Sequence, residues 1–354
     1  MAQGKQVIIA LDAMGGDNAP SIVLEGADKA LTRYPHAKFL LFGDKNRISY
    51  HLDLLPNLKS NSTVIHTESF ISADEKPSVA LRKGTNSSMR LAINAVKEGQ
   101  AAAVVSAGNT GALMAMSKLM LRTLPGIDRP AIASIFPNKI GRCILLDLGA
   151  NVDCNSDNLV QFALMGDAFA KVVLGLKSPR VALLNVGAEE TKGSEVVKLA
   201  AEDLRDGDYP INFCGYVEGD DIAEGAADVI VTDGFTGNVA LKTAEGTAKM
   251  CVSYMKKSFK SSPLAMLGGL LAYRAIKKTF ESIDPRMHNG AMFLGLNGIS
   301  VKSHGGTDGL GFSNAISIAI QLAENNINKK ISDELAVHQE SFALAADKPV
   351  DYED

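Results

Sequence analysis

Short apolar runs alternate with stretches of helical period from the start of the chain. Residues 7–11 and 39–42 read as strands on either side of a helix over 20–31, a βαβ opening. Pro20 suits the first turn of that helix, because the N–H it lacks would have no intrahelical partner there. The alternation continues with strands at 63–66, 102–105, 132–136, 142–147, 181–186, 211–216 and 228–232, and helices at 86–97, 110–121 and 312–327. Residues 137–141 (Pro-Asn-Lys-Ile-Gly) join two of these strands as a hairpin, and strand character resumes over 289–302. The pattern predicts an α/β fold around a largely parallel sheet.

One stretch carries the strongest local signal. Val229-Ile230-Val231-Thr232-Asp233-Gly234-Phe235-Thr236-Gly237-Asn238-Val239-Ala240-Leu241-Lys242 runs from strand through a Gly-rich turn into a helix. Unpaired N–H groups and the positive dipole end at that helix start favour an anion, with Thr236 and Asn238 as caps or ligands and Lys242 one turn further in. A plainer alternative is that Asp233, Thr236 and Asn238 only end a strand and cap a helix. Four other apolar runs end in the same way, at 11–17, 106–111, 147–153 and 185–193. In a parallel sheet such loops share one edge, and ligands of open α/β sheets bind beyond the carboxyl ends of the strands, so the loops describe one lined crevice.

At 354 residues the chain is long for a single core. The turn-rich segment 125–130 divides it into a first lobe, 1–125, rejoined by 305–330, and a second lobe, 126–304, that includes a helical hairpin over 239–282; 331–354 reads as a charged tail. A net charge of −4, 6% aromatic residues and no Trp disfavour nucleic acid as a partner. Cys143, Cys154, Cys214 and Cys251 have neither metal-ligand nor disulfide spacing and are expected to be reduced and buried. The opening residues lack the features of a signal peptide, and no apolar run reaches the ~18 residues of a spanning helix, so a cytoplasmic protein is expected.

Phosphate-loop, dinucleotide and nucleophile-elbow signatures are absent from the sequence. The loops instead offer neutral donors, cations and scattered carboxylates, a set suited to holding phosphate and stabilising an oxyanion. Phosphate is itself a competent nucleophile toward a thioester once positioned. Lys192, Asn238 and Asp233 are the candidate catalytic residues. Candidate phosphate or substrate ligands are Asp12, Gly15, Gly16, Asn109, Thr110, Gly111, Asn151, Asp153, Glu189, Gly234, Thr236, Gly237, Lys242, Lys302 and His304. No metal or other cofactor is expected, although Asp12, Asp153 and Asp233 are strand-end carboxylates that could converge on Mg²⁺.

Residues 256–278 depart from the pattern. Lys256, Lys257, Lys260, Arg274, Lys277 and Lys278 flank an apolar run containing Leu267, Leu270 and Leu271, which reads as a contact for a membrane surface or a carrier protein. A bend near Ser261-Ser262-Pro263 would make it the tip of a helical hairpin, too short to span. A dimer interface would bury the same leucines.

Taken together, LDAMGGD (11–17), SAGNTGAL (106–113), LLDLGANVDC (145–154), LLNVGAEETKGSE (183–195), VTDGFTGNVALKT (231–243) and NGAMFLGLNGISVKSHG (289–305) resemble, over nearly the whole chain, the bacterial phosphate acyltransferases. The resemblance implies formation of acyl phosphate from acyl-acyl carrier protein and inorganic phosphate. It further implies a three-layer α/β/α fold of isopropylmalate-dehydrogenase type, related to phosphotransacetylases, and a homodimer. It places the protein at the first step of phospholipid synthesis, at the inner face of the cell membrane, ahead of a membrane glycerol-phosphate acyltransferase. A short-chain acyl-coenzyme A phosphotransacetylase would show similar loops. So, with idle loops, would a non-catalytic carrier-protein-binding module.

Overall fold

The computed structural model describes residues 6–282 and 285–346. Its strands are β1 (Val7–Asp12), β2 (Ala37–Gly43), β3 (Ser62–His66), β4 (Ala103–Ser106), β5 (Ala131–Asn138), β6 (Gly141–Leu146), β7 (Arg180–Leu184), β8 (Asn212–Val217), β9 (Val229–Val231), β10 (Ala291–Leu294) and β11 (Ile299–Lys302). They form one sheet in the order β3-β2-β1-β4-β11-β10-β5-β6-β9-β7-β8.

That sheet is mixed. β1 to β4 and β11 run together, β10 opposes both β11 and β5, and the hairpin from β5 into β6 turns β6, β9, β7 and β8 the other way. The expected single edge for all the polar loops is therefore corrected, since the two groups of strands end in opposite directions. Register brings the ends back together. Ala131, Ile132 and Ala133 pair with β10, whereas Ser134 to Asn138 pair with β6, which displaces one half of the sheet along the strand direction. Met292 pairs with both Ala133 and Val301, so the carboxyl ends of β6 and β11 come level, three strand spacings or about 14 Å apart.

Strand alternation sends Ile9 and Leu11 into one apolar cluster and Ala10 into another on the opposite face. Helices Ser21–Arg33, Ser156–Val173 and Gly309–Glu324 cover the first face; Ser88–Lys97 and Thr110–Leu121 cover the second. The stretch read as a charged tail begins as a helix, Ile327–Ala346, packed on Ser156–Val173 through the buried Ile327, Ile331 and Leu335. Those residues recur every fourth position, so charge on the remaining positions obscured an apolar stripe. Residues 347–354 lie outside the described part. Cys143 is buried, but Cys214 and Cys251 are exposed, contrary to expectation.

Helix Gly234–Phe259 stands away from the body, burying only Gly234 and Gly237. The chain then turns through Ser261 and Ser262 into Pro263–Ser282, and Gly269 comes back against the Phe259 ring. Lys256, Lys257, Lys260 and Arg274 are exposed, as are Leu264, Leu267, Leu270 and Leu271. The side chains of Lys277 and Lys278 lie outside the described residues.

Candidate active site

β6 and β9 end side by side, and the helix after β9 begins directly on the loop after β6. Asp147 anchors that loop. Its buried carboxylate accepts N–H bonds from Ile132 (2.9 Å), Ala150 (3.0 Å) and Asn151 (2.7 Å), and another from the Asn151 side-chain amide (2.9 Å). Burial pushes its pKa up and these bonds oppose the shift. The Asn151 amide also donates to Pro130 O at 2.8 Å, so this expected ligand is committed to holding its own loop. Gly234 N–H donates to Asn151 O at 2.7 Å.

Backbone meets backbone at this contact. A Cβ on Gly234 would lie 2.6 Å from Asn151 O, and one on Gly237 would lie 1.9 Å from Asp147 O. Only glycine admits such an approach. Asp233 caps the helix, accepting the Thr236 N–H at 2.8 Å and its hydroxyl at 2.7 Å. The plainer alternative thus describes Asp233 and Thr236, whose bonds fill the positive end of the helix with a protein carboxylate. Asn238 is not in the cap. It is exposed, with its side chain over Gly149, whose φ of +122° few other residues would adopt. Lys242 is exposed and pairs with Glu245 at 2.9 Å.

The other half of the sheet contributes the ends of β1, β4 and β11. Asp12 is buried, accepts the Ser88 and Ser106 hydroxyls at 2.6 Å each, and has its pKa raised by burial against those bonds. It supports the loops from beneath, and Gly15 is the residue that fits above it, because a Cβ there would lie 2.5 Å from Asp12 Oδ2. Gly16 has φ +107°. Asn109 caps helix Thr110–Leu121 through the Ala112 N–H and donates to Ala73 O and Glu75 O, all at 2.9 Å. Thr110 and Gly111 are exposed beside it.

Lys302, the last residue of β11, is half-buried and donates to Ala107 O at 3.4 Å and to Ser303 O. Burial lowers its pKa to about 8; Asp12 and Asp17 oppose the shift, while the Lys242 ammonium from the facing half reinforces it. His304 is exposed, and its Nδ1 accepts the Gly306 N–H at 3.1 Å, which leaves the proton of a neutral ring on Nε2.

Lys192 and Glu189 pair at 2.8 Å on the loop after β7, next to β9 in the sheet. Asn185 clasps this loop by donating to Gly187 O and Lys192 O at 3.1 Å each. Lys192 and Asn238 therefore come from neighbouring strand ends, with no direct bond between them among the described contacts. Asp153 is exposed, and its carbonyl accepts from Arg129 at 3.1 Å. Asp12, Asp153 and Asp233 are turned to different partners, and no group of three His, Cys, Asp or Glu among the described residues is placed to hold a metal. Pattern reasoning missed Asp147, Ser88 and Ser106. Asp147 and Ser106 carried a local signal, since each opens one of the polar strand-end loops, at 147–153 and 106–111; Ser88 carried none.

Cys154 adjoins this loop, but burial and then Asp147 push its thiol up to about 11, so it remains protonated near neutral pH. Fixed neutral donors and ammonium groups favour direct attack by a bound oxyanion on a carbonyl.

A family described as fatty acid synthesis protein matches residues 7–330. The chain is 59% identical over 341 residues to a phosphate acyltransferase of Rhodospirillum centenum, covering 96% of each chain. It is 56% identical over 328 residues to a phosphate acyltransferase of Paramagnetospirillum magneticum, covering 93% of each. Among solved structures it is similar to a phosphotransacetylase from Streptococcus pyogenes, at 17% identity and TM-score 0.63, covering 90% of this chain and 94% of the other.

Proposed function

The chain belongs to the phosphate acyltransferase family, whose members transfer acyl groups, and we propose that it converts acyl-acyl carrier protein and inorganic phosphate into acyl phosphate and free carrier protein. Family membership carries this reading. Its geometric support is the register of the sheet, which brings the end of β11, with Lys302, level with the end of β6, against whose loop the helix bearing Asn238 and Lys242 begins. Phosphate held there attacks the thioester carbonyl, and Asn238 and Lys192 stabilise the oxyanion that forms. Positioning two reactants in this way can replace much of the work of a strong base. The test is to incubate the purified chain with a long-chain acyl-acyl carrier protein, with and without phosphate, and trap acyl phosphate with hydroxylamine. Product only with phosphate supports the reading; none in either case overturns it.

A short-chain phosphotransacetylase is the second reading, favoured by the similar fold of the Streptococcus pyogenes protein. Faster turnover of acetyl-coenzyme A than of the long-chain carrier-protein substrate would establish it.

The same reading makes the protein a homodimer that docks peripherally on the inner face of the cell membrane, handing acyl phosphate to a membrane glycerol-phosphate acyltransferase. The exposed leucines and lysines of the hairpin support that arrangement. No helix among the described residues is long and apolar enough to cross a membrane. Each cation near an anionic surface contributes ~1 kcal/mol, so the hairpin can bind reversibly. Leu267→Glu with Leu271→Glu is expected to abolish co-sedimentation with anionic vesicles while leaving the dimer intact. Undiminished vesicle binding, or conversion to monomers, would overturn the membrane contact.

A further inference from the structure

We propose, resting on the acyl phosphate reading above, that Lys302 gives the proton to the departing thiolate and takes one back from the attacking phosphate. Its place in the fold is the first argument. Two carbonyls, of Ala107 and Ser303, fix the ammonium at the end of β11, and an ammonium has three N–H donors. The third has no partner among the described contacts. No carboxylate among the described residues forms an ion pair with Lys302 either. Asp12 beneath it, from β1, is occupied by the Ser88 and Ser106 hydroxyls.

The second argument is a contrast between two lysines. Lys192 is exposed and bonded to Glu189, which holds its pKa up and keeps it a fixed cation. Lys302 is held down to about 8, so its ammonium and amine forms are both accessible near neutrality, as a proton relay requires. Environments that drive two like groups in opposite directions assign them different tasks. The charged groups facing Lys302 are Asp12 and Asp17 from the first strand and its loop, and Lys242 from the helix after β9; His304 lies two residues along the chain.

The step balances without another reactant. An oxygen of hydrogen phosphate forms a bond to the carbonyl carbon, and the C–S bond breaks with its electron pair on sulfur. The Lys302 ammonium protonates that sulfur. Acylation makes the remaining phosphate proton acidic, and it passes to the Lys302 amine. The products are the acyl phosphate dianion and a neutral thiol, and the ammonium is restored.

Leaving-group chemistry tests the assignment. Lys302→Arg keeps the positive charge but has a pKa too high to relay a proton, and Lys302→Met removes both; thermal melting establishes that each is folded. With an alkyl thioester, kcat is expected to fall by about 10² or more in both variants, the usual scale for a lost general acid. An aryl thioester, whose thiolate leaves without a proton, should reduce the deficit to about threefold. The phosphate KM of the arginine variant should stay near that of the unmodified chain. In the unmodified chain, kcat should decline as pH rises through about 8, where the ammonium is lost, and the arginine variant should show no such limb. Equal losses on both thioesters would overturn the role, as would a raised phosphate KM with kcat intact. Leaving-group-selective loss in His304→Gln and not in Lys302→Arg would transfer it to His304. If the unmodified chain forms no acyl phosphate from either thioester, the parent reading fails first and this one with it.

Discussion

Asn238→Ala and Lys192→Ala are each expected to lower kcat by ~10²–10³, the usual cost of removing one fixed donor to a developing oxyanion. Asn238 would otherwise pass for a helix cap, and losing a cap costs about 1 kcal/mol of stability. The cap bonds, however, come from Asp233 to Thr236, and the Asn238 side chain lies exposed over Gly149. Its replacement should therefore leave the melting temperature unchanged while activity falls. Lys192 is a surface lysine paired with Glu189, and ion pairs of that kind add little stability. Both variants therefore separate catalysis from folding. Folded enzymes turning over within about threefold of the unmodified chain would remove both residues from the reaction.

Much of the fold was legible because strand and helix leave different periods in a sequence. The runs at 7–11, 39–42, 63–66 and 102–105 became β1 to β4, and residues 137–141 hold the turn from β5 into β6. Helix Ser156–Val173 left no amphipathic stripe, because residues 158–160 and 162–170 are buried on every side. Strand direction was illegible for another reason. No local pattern records that one hairpin reverses half of a sheet, nor that β5 shares its length between two neighbours. The glycine-rich loops were equally plain, but the tasks of their polar residues were not. Asp12, Asn109, Asn151 and Asp233 look like ligands in sequence, but their bonds hold strand ends, loops and helix starts in place, Asn151 and Asp233 doing so beside Asn238.

Gly237→Ala should damage both stability and activity. The added methyl would sit 1.9 Å from Asp147 O and 3.0 Å from Thr232 Cγ2. The first of these is backbone and cannot rotate aside. Asp147 is itself held by the N–H groups of Ile132, Ala150 and Asn151, so yielding there disturbs the whole loop. The remaining course is for the first helical turn to lift away, which breaks the Gly234 to Asn151 bond and carries Asn238 out of position. Overpacking typically costs about 1–3 kcal/mol, and an unyielding backbone contact belongs at the upper end or beyond. Gly246→Ala is the control within the same helix. Nothing lies within 4 Å of a Cβ at that position, so relief of the glycine entropy cost should stabilise by roughly 0.5–1 kcal/mol. Calorimetric melting of both variants, with turnover measured on the same preparations, decides the matter. A Gly237→Ala enzyme as stable and active as Gly246→Ala would mean that the helix does not start against the Asp147 loop.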